Sequence, residues 1–534
     1  MVGYLIRGAM IYDGTGAAGR RADVAVDGER IEAVGTGLTR DGREVIEADG
    51  LALAPGFIDL HSHADFTLPA FPSAMNSLSQ GVTSEVIGNC GFSPAPVAVG
   101  DDREARLRAL TGGIGPELDF DWQTFGEYMD RLDAKRPAVN VMPLVGHSAL
   151  RVAAMGMDDR HATPAELGTM RRLLRESLAE GAWGFSTGLV YPPGSYGDTD
   201  EVIEIARDLA PADALYASHI RNESDEVHVA LEEALRIGRE LGVRVEISHL
   251  KAAGRRNHGR MAELVGILSE ARAAGLDVHS DGYPYDAGST MLNQLIPPWA
   301  HDGGIEQLVE RLGSAELRQQ MRHDIEHGLP GWQNLVAAAG EWDRIIVASV
   351  TRPDLTWAEG RTVAELAAAA GQDPLAWTMD FLISDMAAPV MIIRMMDQRD
   401  VDVAMTFPLE GLGSDQLAVT SDTARVHPRC YGTFVRFLAQ YVRERRMVPM
   451  EEAIRRMTGL AANVVGVRDR GRVAPGLAAD LVLFDPTTVA DESTYDHPTR
   501  LARGVEWVFV NGKPGVSGGK VVDRGLGRVL RRPT

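Results

Sequence analysis

Cysteine is nearly missing from this chain. Two in 534 residues, Cys90 and Cys430, cannot build a disulfide framework, and that scarcity points to a reducing compartment. Lysine is almost as rare: Lys135, Lys251, Lys513 and Lys520 are the full set. No stretch approaches the 18 or so apolar residues of a membrane span. The opening MVGYLIRGAMIYDG carries Arg7 and Asp13 where a secretion signal needs an unbroken apolar run. Positive charge is also in deficit, with 54 Lys and Arg against 75 Asp and Glu and a formal net charge of −21. A chain this acidic repels phosphate backbones, which argues against nucleic acid as a partner. These shortages describe a soluble, cytoplasmic protein with neither a membrane nor a nucleic-acid partner.

The rest of the composition is ordinary for a globular protein, with 45% hydrophobic and 24% charged residues. The length would suit several domains, but one α/β barrel can absorb roughly 250 to 400 residues. Short strand-like runs separated by glycine mark both ends: Tyr4-Leu5-Ile6 and Asp23 to Val26 near the start, Leu481 to Phe484 and Val505 to Val510 near the finish. Neither set is large enough to fold alone, so the two ends are expected to share one small β domain, residues 1–55 with 469–534. Between them, 56–468, helix and strand patterns alternate. Thr163-Pro164-Ala165-Glu166 is a capping box with proline at the first helical position. Leu167, Met170, Leu174 and Leu178 follow at helical spacing, and Gly181 ends the helix. The strand ends at His219, His249 and Asp281 recur about one βα unit apart, which favours a barrel over an open sheet. Residues near 300–343 are helical but off-period and read as an insertion.

Chemistry-bearing residues gather at the predicted strand ends. Pro55 to His63 is an apolar run ending in His61-x-His63, and residues i and i+2 of a strand point the same way. With 14 histidines, chance alone supplies roughly 0.4 such pairs, so the location carries more weight than the motif. Cys90, His219 and His249 also close strand-like runs, where the working residues of α/β barrels sit. Each taken singly is equally well a core side chain. Four imidazoles and one thiolate together suit Zn2+. Asp281 and Asp415 are the acid candidates. Asp415 has the better context, since Gly411 and Gly413 allow close backbone approach.

The stretches PGFIDLHSHAD (55–65), QGVTSEVIGNCGFSPAP (80–96), GFSTGLVYPPGSY (184–196), YASHIRNE (216–223), EISHLKAAG (246–254), DGYPYDAGST (281–290), GSD (413–415) and HPRCYGTF (427–434) resemble the N-acyl-D-amino-acid deacylases (D-aminoacylases) of the amidohydrolase superfamily. APGLAADLVLFDP (474–486) and VEWVFVNGKP (505–514) resemble that superfamily's closing β domain. The resemblance runs nearly end to end. It implies an α/β fold: a (β/α)8 TIM-like metal-dependent hydrolase barrel with a small β-sandwich domain formed by both termini. It implies zinc at a tight position held by Cys90, His219 and His249. A second, weaker position, of open occupancy, would be formed by His61, His63 and Asp415. Asp415 would be the general base, and Lys251, Tyr283, Ser289 and Tyr191 would surround a small N-acyl amino acid substrate. The implied reaction yields a carboxylate and a free D-amino acid, with dipeptides ending in a D-residue as a further substrate.

Many superfamily members bridge two metals with a carboxylated lysine upstream of the later histidines. This chain has no lysine there, which argues against a hydantoinase or dihydroorotase. Two alternatives stay open at this point: an amidohydrolase for a cyclic amide or another N-acyl compound, and an inactive barrel that only binds. Ala64-Asp65 and Gln416 depart from the family pattern beside the centre. Leu295, Ile296 and Pro297 suggest an apolar side-chain pocket.

Overall fold

The two ends of the chain hydrogen-bond to each other. In the computed structural model, which describes residues 3–97, 121–418, 425–523 and 525–533, five strands open the fold: β1 (Tyr4–Ile11), β2 (Arg20–Asp27), β3 (Arg30–Gly35), β4 (Glu44–Glu47) and β5 (Ala52–Pro55). Four close it: β17 (Leu481–Phe484), β18 (Val505–Val510), β19 (Lys513–Ser517) and β20 (Lys520–Val521). All nine form one sheet, joined where β5 runs antiparallel to β17 with Leu53 opposite Leu483. Ile6, Val24, Leu53, Leu481 and Phe509 pack in its core.

Gly56 leads from β5 directly into the first strand of a parallel barrel. Its strands are β6 (Phe57–Asp59), β7 (Val82–Ile87), β8 (Asn140–Gly146), β9 (Gly184–Gly188), β10 (Leu215–His219), β11 (Val245–Ile247), β12 (Val278–Gly282) and β16 (Glu410–Leu412). They pair in chain order, and helices follow most of them. The seam between β6 and β16 is closed by backbone bonds from Leu60 N to Leu412 O (3.0 Å), Asp415 N to His61 O (2.7 Å) and His63 N to Gln416 O (2.8 Å). The barrel strands are buried along their whole length, as strands covered on both faces must be. The Thr163 capping box forms, Pro164–Glu180 is helical, and Gly181 caps it with φ 111°. A cap of this kind is worth about 1 kcal/mol.

Between β12 and β16 the chain leaves the barrel. It builds a three-stranded antiparallel sheet from β13 (Ala287–Met291), β14 (Ile345–Ser349) and β15 (Val390–Arg394), with β15 central. Helices such as Ile305–Gly313, Ala315–His327 and Pro374–Ser384 pack with this sheet around a second core that includes Leu308, Ile345, Leu366, Leu382 and Ile393. Residues 300–343 lie inside this larger unit. It stands at the C-terminal mouth of the barrel, where β13 and β15 supply part of the pocket lining. Among the described residues no helix is long and apolar enough to cross a membrane.

Candidate metal centre and active-site pocket

The turns after the barrel strands aim the donor groups inward. His61 and His63 follow β6 on the same side of the chain. Asp59 Oδ1 accepts from His61 N (3.1 Å) and from Ser414 N (2.9 Å), so one buried carboxylate ties the His61 turn to the turn that carries Asp415. Cys90, His249 and Asp415 have φ of 53°, 36° and 52°. Non-glycine residues in that region cost about 1 kcal/mol or more and persist where surrounding bonds over-determine them. Here His249 N donates to Asp281 Oδ1 (2.9 Å) and Asp415 N to His61 O (2.7 Å). Gly413 has no room for a side chain, because a Cβ there would lie 2.4 Å from Asp281 Oδ1 and 2.6 Å from His61 Cβ.

Three imidazoles converge on one sulfur. Cys90 Sγ lies 3.2 Å from His61 Nε2, 3.5 Å from His219 Nδ1 and 3.4 Å from His249 Nε2. Asp415 Oδ1 lies 3.3 Å from His63 Nε2 and 3.9 Å from His61 Nε2. Three overlapping triads each place their ligand atoms within 4.8 Å: His61–His63–Cys90, Cys90–His219–His249 and His61–His249–Asp415. Nitrogen and sulfur at these separations fit one tetrahedral ion bound at about 2.0–2.3 Å, and the mixed thiolate and imidazole set fits zinc. Burial pulls the His219 and His249 imidazoles well below their usual range, leaving neutral rings with a free lone pair. Burial, reinforced by Asp415, pushes the Cys90 thiol well up. A cation at the centre is the charge that would favour its thiolate.

Asp415 is 9% exposed. Burial alone would raise its carboxyl, but the Arg429 guanidinium, His63 and the other imidazoles outweigh that and hold it well below the usual carboxylate range. Arg429 Nη1 is 2.8 Å from Asp415 Oδ2. Its guanidinium also stacks 4.7 Å from the Tyr283 ring centre, and its Nη2 donates to Ser289 O (3.3 Å). Lys251 Nζ donates to Glu223 Oε1 (2.9 Å) and His249 O (3.0 Å) and lies 5.7 Å from the Tyr283 ring centre. Tyr191 packs its ring 4.9 Å from that of His219 and accepts a hydrogen bond from Thr290 (3.2 Å). All of these groups line one cavity of about 830 Å³, together with His63, Cys90, His219, His249 and Ser289.

The structure therefore gathers Cys90, His219, His249, His63, Asp415, Lys251, Tyr283, Ser289 and Tyr191 around one cavity, with His61 fully buried behind the wall and its Nε2 3.2 Å from Cys90 Sγ. It does not bring every sequence candidate there. Asp281 stands behind the centre, with Oδ2 3.1 Å from His61 Nδ1, and is not on the cavity surface. Leu295 and Ile296 are fully buried in the core of the unit between β12 and β16, and with Pro297 they are not on the cavity wall. Expecting them to form the side-chain pocket was wrong, because that unit needs apolar residues for a core of its own. The apolar wall comes instead from Phe66, Phe92, Val190, Met291, Val350 and Met395. Of the departures beside the centre, Gln416 donates to Ser62 Oγ and Ser77 Oγ (3.2 Å each) within the barrel seam. Asp65 is fully buried, and burial pushes its carboxyl up to about 7. Glu223 and Arg429 were missed as functional residues, although both lie inside the motifs YASHIRNE and HPRCYGTF.

The amidohydrolase family profile matches residues 44–516. The chain is 40% identical over 528 residues to the N-acyl-D-aspartate deacylase of Alcaligenes xylosoxydans xylosoxydans, covering 99% of this chain and 94% of the relative. This chain is an amidohydrolase of the N-acyl-D-amino-acid deacylase branch. A D-aminoacylase of the same organism is 38% identical over 534 residues, covering 99% and 97% of the two chains. The chain also superposes on the N-acyl-D-glutamate deacylase of Bordetella bronchiseptica with a TM-score of 0.82, 36% identity and 99% of both chains covered. That crystal structure holds zinc and a phosphonate inhibitor that mimics the tetrahedral intermediate of the reaction.

Proposed function

We propose that this amidohydrolase cleaves N-acyl-D-amino acids to a carboxylic acid and a free D-amino acid, with zinc held by Cys90, His219 and His249. The observation that carries the reading is the juxtaposition of that donor trio with an ionised Asp415 on the wall of a cavity that also presents Arg429 and Lys251. Zinc at this position supplies a Lewis acid for the acyl carbonyl and lowers the pKa of water there. His61 and His63, with Asp415, would hold a second, weaker ion.

The chain's own groups account for the remaining chemistry. Asp415 takes the proton of the attacking water and passes it to the departing nitrogen, as a carboxylate base and acid in turn. Arg429 keeps Asp415 ionised before the attack and fixes its rotamer. A substrate α-carboxylate finds cations and donors on one side of the cavity in Lys251, Arg429, Tyr283 and Ser289. Tyr191 covers the His219 side and helps exclude water. The substrate's acyl and side-chain groups meet the apolar wall built from Phe66, Phe92, Val190, Met291, Val350 and Met395. That wall supports a preference for an uncharged side chain, and the names of the relatives support the D configuration. Few cysteines support a cytoplasmic location.

The test is hydrolysis of matched N-acetyl-D and N-acetyl-L amino acids, with zinc content measured on the same sample. The expected result is turnover of the D series, with N-acetyl-D-Leu ahead of N-acetyl-D-Glu, and about one or two equivalents of zinc. Hydrolysis of neither series by zinc-loaded protein refutes the reading. A preference for Glu refutes the side-chain preference alone.

A further inference from the structure

A single carboxylate faces both halves of the site. Glu223, in the loop after β10, is 2% exposed. Its Oε1 lies 2.9 Å from Lys251 Nζ, 3.0 Å from His249 Nδ1 and 3.8 Å from His219 Nε2. Those two ring nitrogens are the ones turned away from Cys90, since its sulfur is approached by His219 Nδ1 and His249 Nε2. At 3.0 Å the carboxylate faces the outer nitrogen of His249, where such a group orients a ligand ring and favours the tautomer that leaves the inner nitrogen its lone pair; His219 Nε2, at 3.8 Å, is beyond hydrogen-bond reach. The same oxygen anchors the ammonium group that faces the substrate.

Glu223 is itself held in place. Its backbone N–H donates to Gln333 Oε1 (2.8 Å), and its carbonyl accepts from Ala253 N (2.7 Å). Gln333 is 2% exposed and belongs to the unit between β12 and β16, far away in sequence. The next residues are fixed by Asn222 Oδ1, which accepts from Ser224 N (2.8 Å) and Glu226 N (3.3 Å). The backbone of Glu223 is thus clamped from both sides: at its carbonyl by Ala253, and at its N–H by Gln333 of the inserted unit.

We propose that Glu223 is a positioning residue shared by the zinc ligand His249 and Lys251, its backbone clamped by Gln333, so that metal retention and substrate affinity depend on one carboxylate. This rests on the deacylase reading for its substrate half and on the geometry of His249 for its metal half. The consequence is a pattern of paired losses. Removing Lys251 disturbs only substrate binding. Removing the Glu223 charge disturbs both.

The test uses the zinc-loaded full chain and two measurements: zinc affinity by competition with a chelator, and KM and kcat for an N-acetyl-D-amino acid at saturating zinc. Glu223→Gln is expected to weaken zinc binding by about 10- to 100-fold and to raise KM about tenfold, with kcat changed less than KM. Lys251→Met is expected to raise KM and leave zinc affinity within about twofold of the parent. Gln333→Ala, which removes an amide of the cavity lining but keeps Glu223, Lys251 and the zinc donors, is expected to lower both affinities by a smaller factor. Zinc affinity unchanged in Glu223→Gln, or KM unchanged in it, overturns the proposal. If that variant does not fold, Gln333→Ala carries the decision, and no change in either measurement overturns it. If the parent enzyme hydrolyses no N-acyl-D-amino acid, the deacylase reading fails. The zinc measurements then decide the metal half by themselves.

Discussion

Replacing Glu201 by glutamine tests the reasoning about buried charge away from the metal. His147, Arg151 and Glu201 form a triad under the loop that carries Tyr191. His147 and Arg151 are fully buried and Glu201 is 5% exposed. Glu201 Oε1 lies 3.0 Å from His147 Nε2 and 2.5 Å from Arg151 Nη1. Burial by itself would raise the Glu201 carboxyl, but the His147 hydrogen bond and the Arg151 guanidinium hold it at about 2, against an ordinary 4.5. Removing one partner of a buried pair costs about 3–5 kcal/mol, because the other charge stays in the interior unpaired. The depressed carboxyl gives a similar figure, about 3 kcal/mol. An unfolded glutamate protonates near 4.5 and the native one near 2. The stabilisation is therefore complete above pH 4.5 and is lost as pH falls from there toward 2. Urea unfolding followed by tryptophan fluorescence should show Glu201→Gln less stable than the parent by about 3 kcal/mol at pH 7. The Glu201 contribution should shrink as pH falls below about 4.5. A gap under about 1 kcal/mol at neutral pH would falsify the account of this triad.

Asp415→Asn should keep its zinc and lose about 10²- to 10⁴-fold in kcat, as expected when a general base is removed with its shape retained; near-normal turnover would remove Asp415 from that role. Cys90→Ser should lose metal and activity together, read by zinc content after dialysis; a variant that keeps a full equivalent would place the tight ion elsewhere. Gly413→Ala should fold but lose activity sharply, because its Cβ would have to displace either Asp281 or His61; unchanged kcat/KM would show that the turn between β16 and Asp415 has slack that the packing does not suggest.

How far the sequence could be read differs from one part of the site to another. His61, His63, Cys90, His219 and His249 each close or follow a strand-like run, which is enough to place them at strand ends, but the aim of Cys90 and His249 is set by turns with φ of 53° and 36° that no local pattern signals. Regular spacing is enough to read the barrel. Glu223 shows the limit: its role depends on a lysine 28 residues away and a glutamine 110 residues away, and no local pattern signals either meeting. Arg429 is similar, since only the folded seam brings it to Asp415. The misjudged Leu295 and Ile296 have a different cause. Apolar residues near a site are equally suited to lining it or to filling a neighbouring core, and composition does not tell the two apart until a second core is known to exist.

The seam between β6 and β16 has a bearing on how the molecule is made. A ribosome delivers Phe57 long before Glu410, with the whole inserted unit in between. Until β16 emerges, the half-made barrel presents two unpaired strand edges, those of β6 and β12, and such edges invite pairing with other chains. Asp415 arrives with the strand that shuts this gap. On the proposed role of Asp415, the nascent polypeptide would gain its general base in the same event that pairs these two open edges.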